Sequence, residues 1–211
     1  PCAACFSRLK TANHDLERDH ALAREVDEVI GKSYKGSVNV VHPLELFQVE
    51  ENANRLSDLP RTELSNLKVA CYYGCLLVRP PEIMHFDNPE YPMSMDKMLA
   101  EVGIETVDWA YKVDCCGASL GITDGSVVLD LASKIINDAI ARGANAIAVA
   151  CPLCHINLDG RQAQINKKFG SDLNMPVFYF TQLLGLRLGI APDKLGLQKH
   201  LVDTTAVLSG E

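Results

Sequence analysis

Ala144-Asn145-Ala146-Ile147-Ala148-Val149-Ala150-Cys151-Pro152-Leu153-Cys154-His155 is the stretch that decides the fold. Apart from Asn145, the residues before Cys151 are apolar, and Arg142-Gly143 stops the preceding segment. A short apolar run of this kind reads as a strand of a parallel sheet covered on both faces. It delivers Cys151 at its carboxyl end, and the chain then turns into a helix. In open parallel sheets, sites form just beyond the carboxyl ends of strands. Two thiols therefore stand where such a site is built.

Two upstream segments repeat the arrangement. Leu67–Tyr73 is rich in β-branched and aromatic residues and reads as a strand, with Gly74-Cys75 at its end. Ile104–Ala110 reads as another strand, running through Lys112-Val113-Asp114 into the adjacent pair Cys115-Cys116 and then Gly117. Between them, Arg79 to Met93 holds four prolines and reads as an irregular loop, followed by a helix over Met95–Val102 that Gly103 ends. Asp124 caps the clearest helix, with Val127, Val128, Leu131, Ile135, Ala139 and Ile140 along one face. A helix through Ile165 to about Gly170, a strand over Val177–Phe180 and a helix over Gln182–Leu188 complete this half. The tail beyond Pro192 carries no pattern that assigns an element. Strand and helix alternate, so the class is α/β with a largely parallel sheet. Cys75, Cys115/Cys116 and Cys151/Cys154 then share one edge of it.

The first part of the chain opens on Pro1-Cys2-Ala3-Ala4-Cys5 with no strand before it. A polar amphipathic helix follows, carrying Leu16, Leu22, Val26, Val29 and Ile30 on one face. Ser37–His42 reads as a strand, Pro43 opens a helix with Leu44, Phe47 and Val49, and Ser57-Asp58-Leu59-Pro60 reads as a linker. Pro1–Leu9 aligns with Ala150–Leu158, and in each case a helix, a short strand and an apolar helix follow in the same order. Self-similarity in fixed order marks a duplication. The first copy lacks counterparts of Cys75 and of Cys115-Cys116-Gly117, which leads to the expectation that further residues precede Pro1.

Composition narrows the chemistry. The 211 residues are 47% hydrophobic and carry a formal charge of −7, which gives a nucleic-acid partner little electrostatic support. No apolar run reaches the roughly 18 residues of a transmembrane segment, and no signal segment opens the chain. Eight cysteines at tight spacing, with no sign of secretion, point to reduced thiols in a cytoplasmic protein that serve metal or redox chemistry. A four-cysteine zinc site would leave one of the five clustered thiols over, and neighbouring thiolates reach one tetrahedral ion only with strain. An iron–sulfur cluster can use an adjacent pair on different irons. A thioredoxin-like dithiol at Cys151/Cys154 would leave Cys115-Cys116 unused. On spacing alone, all three remain open.

Thirty-nine residues separate Cys75 from Cys115, and 34 separate Cys116 from Cys151. With Tyr73-Gly74-Cys75, Cys115-Cys116-Gly117-Ala118 and Cys151-Pro152-Leu153-Cys154-His155, the chain resembles the CCG modules of the heterodisulfide reductase B subunit from Cys2 to about Leu188. The resemblance implies residues 1–60 as the C-terminal part of a first CCG module and 61–211 as a second. It implies a noncubane 4Fe–4S cluster on Cys75, Cys115, Cys116, Cys151 and Cys154. Cys2 and Cys5 would supply two ligands of another cluster, the remainder lying upstream of Pro1. It further implies cleavage and reduction of a small (hetero)disulfide, such as that of coenzymes M and B. The partners would be an iron–sulfur relay subunit and a flavin-containing subunit. A zinc-binding CCG module for assembly or docking is the alternative.

Other residues receive plainer readings. His155 follows a ligand cysteine and reads as a group supporting the cluster or a departing thiolate from just outside the ligand shell. Cys71 matches no ligand position and reads as a small buried hydrophobe, and Trp109 reads as core. His42 occupies the place of Tyr179 in the repeat and reads as structural, while His14, His20, His85 and His200 read as surface residues. Arg79 and Lys112 read either as steering groups for an anionic thiol or as solvated charges. Gly117, Gly121 and Gly125 form no phosphate loop, because no GxGxxG or Walker lysine accompanies them.

Overall fold

A computed structural model describes residues 1–49 and 62–209. The predicted linker over 57–60 lies outside the described residues. Four parallel strands, β1 (Lys68–Tyr72), β2 (Glu105–Thr106), β3 (Ala146–Val149) and β4 (Val177–Tyr179), form one sheet in the order β2-β1-β3-β4. All four residues of β3 are buried, so both faces of the central strand are covered, which is why its sequence lacks the alternation of a half-exposed strand.

The chain leaves β1 toward β2 on one side and returns to β3 on the other. The gap between the carboxyl ends of β1 and β3 is thus the switch point of the sheet, where such folds form their crevice. Cys75 follows β1, and Cys151 follows β3.

The helices are α1 (Ala3–Arg18), α2 (His20–Ile30), α3 (Pro43–Phe47), α4 (Cys75–Val78), α5 (Pro81–Met84), α6 (Ser94–Glu101), α7 (Gly125–Ala141), α8 (Pro152–Leu158), α9 (Gln162–Phe169), α10 (Phe180–Arg187) and α11 (Thr205–Ser209). α7 packs on α8 and α9, whereas α6 packs with α3 and α10.

Several expectations are corrected. The single amphipathic helix is two, because Asp19 ends α1 and its carboxylate caps α2 through Ala21 N and Leu22 N. The apolar side of α2 stays largely open, with Val29 and Ile30 exposed. Residues 37–42 form no strand: the segment is irregular, and Val38 and Val41 are exposed. Its repeat counterpart β4 pairs with the strand that precedes the second CxxC. The proline-rich loop contains α5, which Pro81 opens. On α7, Asp124 accepts from Val127 N as expected. Its buried face is rotated to Val128, Ala132, Ile135, Ile136 and Ala139, leaving Val127 and Ile140 exposed. β2 is shorter than the predicted strand. The tail forms a 3-10 turn over Leu197–Lys199 and then α11. Cys71 and Trp109 are buried as expected, and the Trp109 Nε1–H donates to Cys71 O at 3.1 Å.

Candidate metal centre

All five thiols expected to act together line a single cavity of about 100 Å³: Cys75, Cys115, Cys116, Cys151 and Cys154. Cys116 Sγ and Cys154 Sγ stand 3.5 Å apart. Cys75, Cys116, Cys151 and Cys154 are partly or fully buried, whereas Cys115 is exposed. Leu76 and Leu153, both exposed, belong to the same lining.

Two glycines shape the cavity. Gly74 has φ +69°, and a Cβ there would stand 3.1 Å from Cys154 Sγ, so the turn into Cys75 passes the opposite sulfur with no room for a side chain. Gly117 has φ +77°, and its Cβ would meet Val128 and Leu131 of α7 at 3.1 to 3.3 Å. The Cys-Cys-Gly motif can therefore turn back from the sulfurs only with glycine at its third position.

The loops are held from behind by groups whose role the sequence did not reveal. Tyr73 N and Gly74 N both donate to Lys112 O, at 2.9 and 3.1 Å. The Lys112 side chain, 0% exposed, pairs with buried Asp96 at 2.7 Å. Tyr73 OH donates to the other Asp96 oxygen at 2.7 Å. Lys112 is thus neither a steering group nor a solvated charge. Arg79 does lie on the surface, paired with Glu90 at 2.7 Å. On the other side, Asn157 Nδ2 donates to Cys116 O at 3.0 Å, and Arg161 bridges Asn157 Oδ1 to Gly121 O. The Asn157–Arg161 spacing of four along the helical direction was the one available signal.

Proton affinities differ sharply among the sulfurs. Hydrogen bonding from the Cys154 thiol, and then from the Cys154, Ala4 and Leu153 backbone N–H groups, brings Cys151 down to about 5. The same Cys154 thiol leads in bringing Cys116 down to about 7. Cys154, facing both, is pushed well up, and burial followed by the Cys115 charge raises Cys75 to about 11. Among these sulfurs the surroundings favour the thiolate at Cys151 and the thiol at Cys154.

The first CxxC lies beside the second. Cys2 is the N-cap of α1 as Cys151 is of α8, and Cys2 Sγ accepts from Cys5 N at 3.2 Å. Ala3 N donates to Ala150 O at 3.2 Å. Burial, ahead of the Cys5 contacts and the Cys151 charge, raises the Cys2 thiol. Neither Cys2 nor Cys5 lines the sulfur cavity, although Ala3 does.

His155 does not line that cavity; its ring stacks on Tyr179 at 4.7 Å and meets His200 edge-on at 4.8 Å. Burial lowers the pKa of both histidines. His200, expected at the surface, is half-buried against Phe178 and Gln182. His42 is structural as read, 1% exposed, with Nδ1 accepting from Leu44 N at 3.3 Å.

A model of the cysteine-rich CCG domain matches residues 69–159, from β1 to the end of α8. The B subunit of the ferredoxin/F420H2-dependent CoB-CoM heterodisulfide reductase of Methanosarcina acetivorans is 34% identical over 99% of this chain and 71% of its own length. The chain belongs to the heterodisulfide reductase B-subunit family. The 8-methylmenaquinol:fumarate reductase membrane anchor subunit of Wolinella succinogenes is 31% identical over 97% of the chain and 72% of its own length. A hypothetical protein from Helicobacter pylori, of known crystal structure, shares the fold at TM-score 0.69 and 13% identity, over 92% of this chain and 35% of that longer one. Membership in this family makes the chain a homologue of subunits of disulfide-reductase complexes and supports iron–sulfur chemistry at its cysteines. Among the described residues no helix is long and apolar enough to cross a membrane.

Proposed function

We propose that this chain is the disulfide-reducing iron–sulfur subunit of an electron-transfer complex. In this reading Cys75, Cys115, Cys116, Cys151 and Cys154 hold a noncubane 4Fe–4S cluster. The observation that carries the reading is the convergence of five thiols on one cavity, with Gly74 where a Cβ would press on Cys154 Sγ. Five soft ligands exceed the four of a structural zinc site and suit a cluster. When bound, such a cluster supplies single electrons and iron sites that take thiolate sulfur.

The protein's own groups hold and open the site. Lys112 and Asp96 fix the Gly74–Cys75 turn, and Asn157 with Arg161 fixes the Cys115–Gly117 turn. Leu76 and Leu153 make an apolar mouth beside exposed Cys115, suited to the alkyl arms of a small disulfide. The substrate class is a (hetero)disulfide such as that of coenzymes M and B. The partners are a relay subunit carrying iron–sulfur clusters and a flavin-containing subunit. Cys2 and Cys5 contribute to a second such site, as part of a first CCG module over residues 1–60, with the second module over 61–211.

Anaerobic purification tests the reading. About four irons and matching acid-labile sulfide per five-cysteine site, with broad brown absorbance that changes on adding a disulfide substrate, are the expected result. Stoichiometric zinc in that cavity with no iron would leave a docking module instead.

A further inference from the structure

We propose, on the iron–sulfur reading of this site, that Asn157 is a positioning residue for it. Its amide, oriented by Arg161, donates to Cys116 Sγ and thereby raises the reduction potential of the cluster held there.

Asn157 is 2% exposed and lies three residues after Cys154 in α8, a spacing that puts the two on one face of the helix. The helix that delivers Cys154 therefore also delivers an amide to the opposite loop. Asn157 Nδ2 stands 3.0 Å from Cys116 O and 3.8 Å from Cys116 Sγ. The amide nitrogen carries two hydrogens, one for the carbonyl and one for the sulfur. Arg161 fixes which end of the amide faces the loop. A guanidinium only donates, and Arg161 Nε lies 3.0 Å from Asn157 Oδ1, so the nitrogen end is turned to Cys116. Arg161 is itself held by Gly121 O at 3.1 Å. Among the described residues no carboxylate forms an ion pair with it. Its charge therefore polarises the amide and strengthens the N–H groups on the far end.

The neighbouring cysteine is served differently. Cys115 Sγ accepts from Gly117 N at 3.3 Å, a backbone donor that no side-chain substitution removes. The Asn157 contact with Cys116 Sγ comes from a side chain and can be deleted alone. Hydrogen bonds to ligand sulfurs are one of the levers by which a protein sets cluster potential. When the site takes one electron from a one-electron relay, negative charge on the sulfurs grows, and no proton or ligand bond is exchanged. An N–H aimed at Cys116 Sγ stabilises that reduced form more than the oxidised one.

The test is a redox titration of the anaerobically purified full chain, followed by electron paramagnetic resonance, with iron measured on every sample. Asn157→Leu removes both N–H donors without adding charge. It should lower the equilibrium constant for one-electron reduction about tenfold, a fall of about 59 mV, with iron at the wild-type level. Arg161→Gln leaves Asn157 in place and should lower the same constant roughly threefold, because the amide loses its charged partner. Should Asn157→Leu lose its circular dichroism or its iron, Arg161→Gln carries the test. An unchanged or higher potential in a folded, iron-loaded variant would overturn the role of Asn157 and leave the cluster reading standing. Loss of iron from both variants would reduce the pair to a structural support and overturn it as well. A wild-type chain without iron would overturn the cluster reading, and this role with it.

Discussion

The two CxxC segments of this chain share their local structure and differ in what stands behind them. In each, the first cysteine is the N-cap of a helix, and in the first segment Cys5 N donates to the Cys2 sulfur. In each, a later helix opens with its third residue accepting the N-cap N–H: Glu45 for His42, and Gln182 for Tyr179. The second segment has β3 before it, β4 paired to that strand, and three more thiols facing it. The first is followed by an irregular, partly exposed stretch over 37–42, and its Ala3 lines the five-thiol cavity while Cys2 and Cys5 do not. A helix start by itself aims a CxxC as a pair of donors. A parallel sheet that brings other strand ends alongside turns it into a five-thiol site.

Breaking one thiol in each half should produce the largest contrast. Cys116→Ser is expected to remove the iron of the described cavity while leaving the circular dichroism spectrum intact. Cys5→Ser should leave that iron in place. Equal iron in both variants, by metal analysis, would sink the ligand assignment. Gly74→Ala probes the same half through geometry: positive φ and a 3.1 Å approach to Cys154 Sγ make alanine unfavourable. A cost of up to roughly 3 kcal/mol in urea unfolding, together with reduced iron, is expected.

The His42/Tyr179 pair sharpens the comparison through pH. Burial holds His42 at about 4 in the folded chain, against about 6.5 unfolded. Between those values the unfolded state binds more protons, so this contribution to stability is present above about 6.5 and is lost as pH falls toward 4. Urea unfolding should show about 2 kcal/mol lost between about pH 7 and about pH 5 from this group. His42→Asn should remove that part of the slope, because asparagine can still cap but does not titrate. Tyr179 carries no charge change in the range, since burial and the nearby thiolates raise its pKa. The smallest effect concerns the matching caps. Glu45→Ala and Gln182→Ala should each cost about 1 kcal/mol, with Gln182→Ala costing somewhat more because its amide also donates to Leu195 O at 3.0 Å.

Much of this is legible in the residues themselves. The apolar run into Cys151, the Asp124 cap and Gly170 at the end of α9 are local signals, and local signals survive folding. The strand expected over 37–42 is irregular in the structure, because β-branched composition alone does not provide the hydrogen-bonded neighbour a strand needs. His200 and Lys112 mislead because a polar neighbourhood in sequence says nothing about what packs over it.

The residues alone determined an α/β chain, with thiols placed after successive strands, because strand length, capping and cysteine spacing are written within a few residues of each other. Only the tertiary structure decided that β1 and β3 are neighbours, so that Cys75 and Cys151 meet at the switch point of the sheet. Tertiary packing also buried Lys112 with Asp96 behind one cysteine turn and brought His200 to His155 and Asp159. These contacts join residues 16 to 76 positions apart in sequence. Their energies come from exclusion of water around charges and thiols, and that exclusion exists only once the chain has closed.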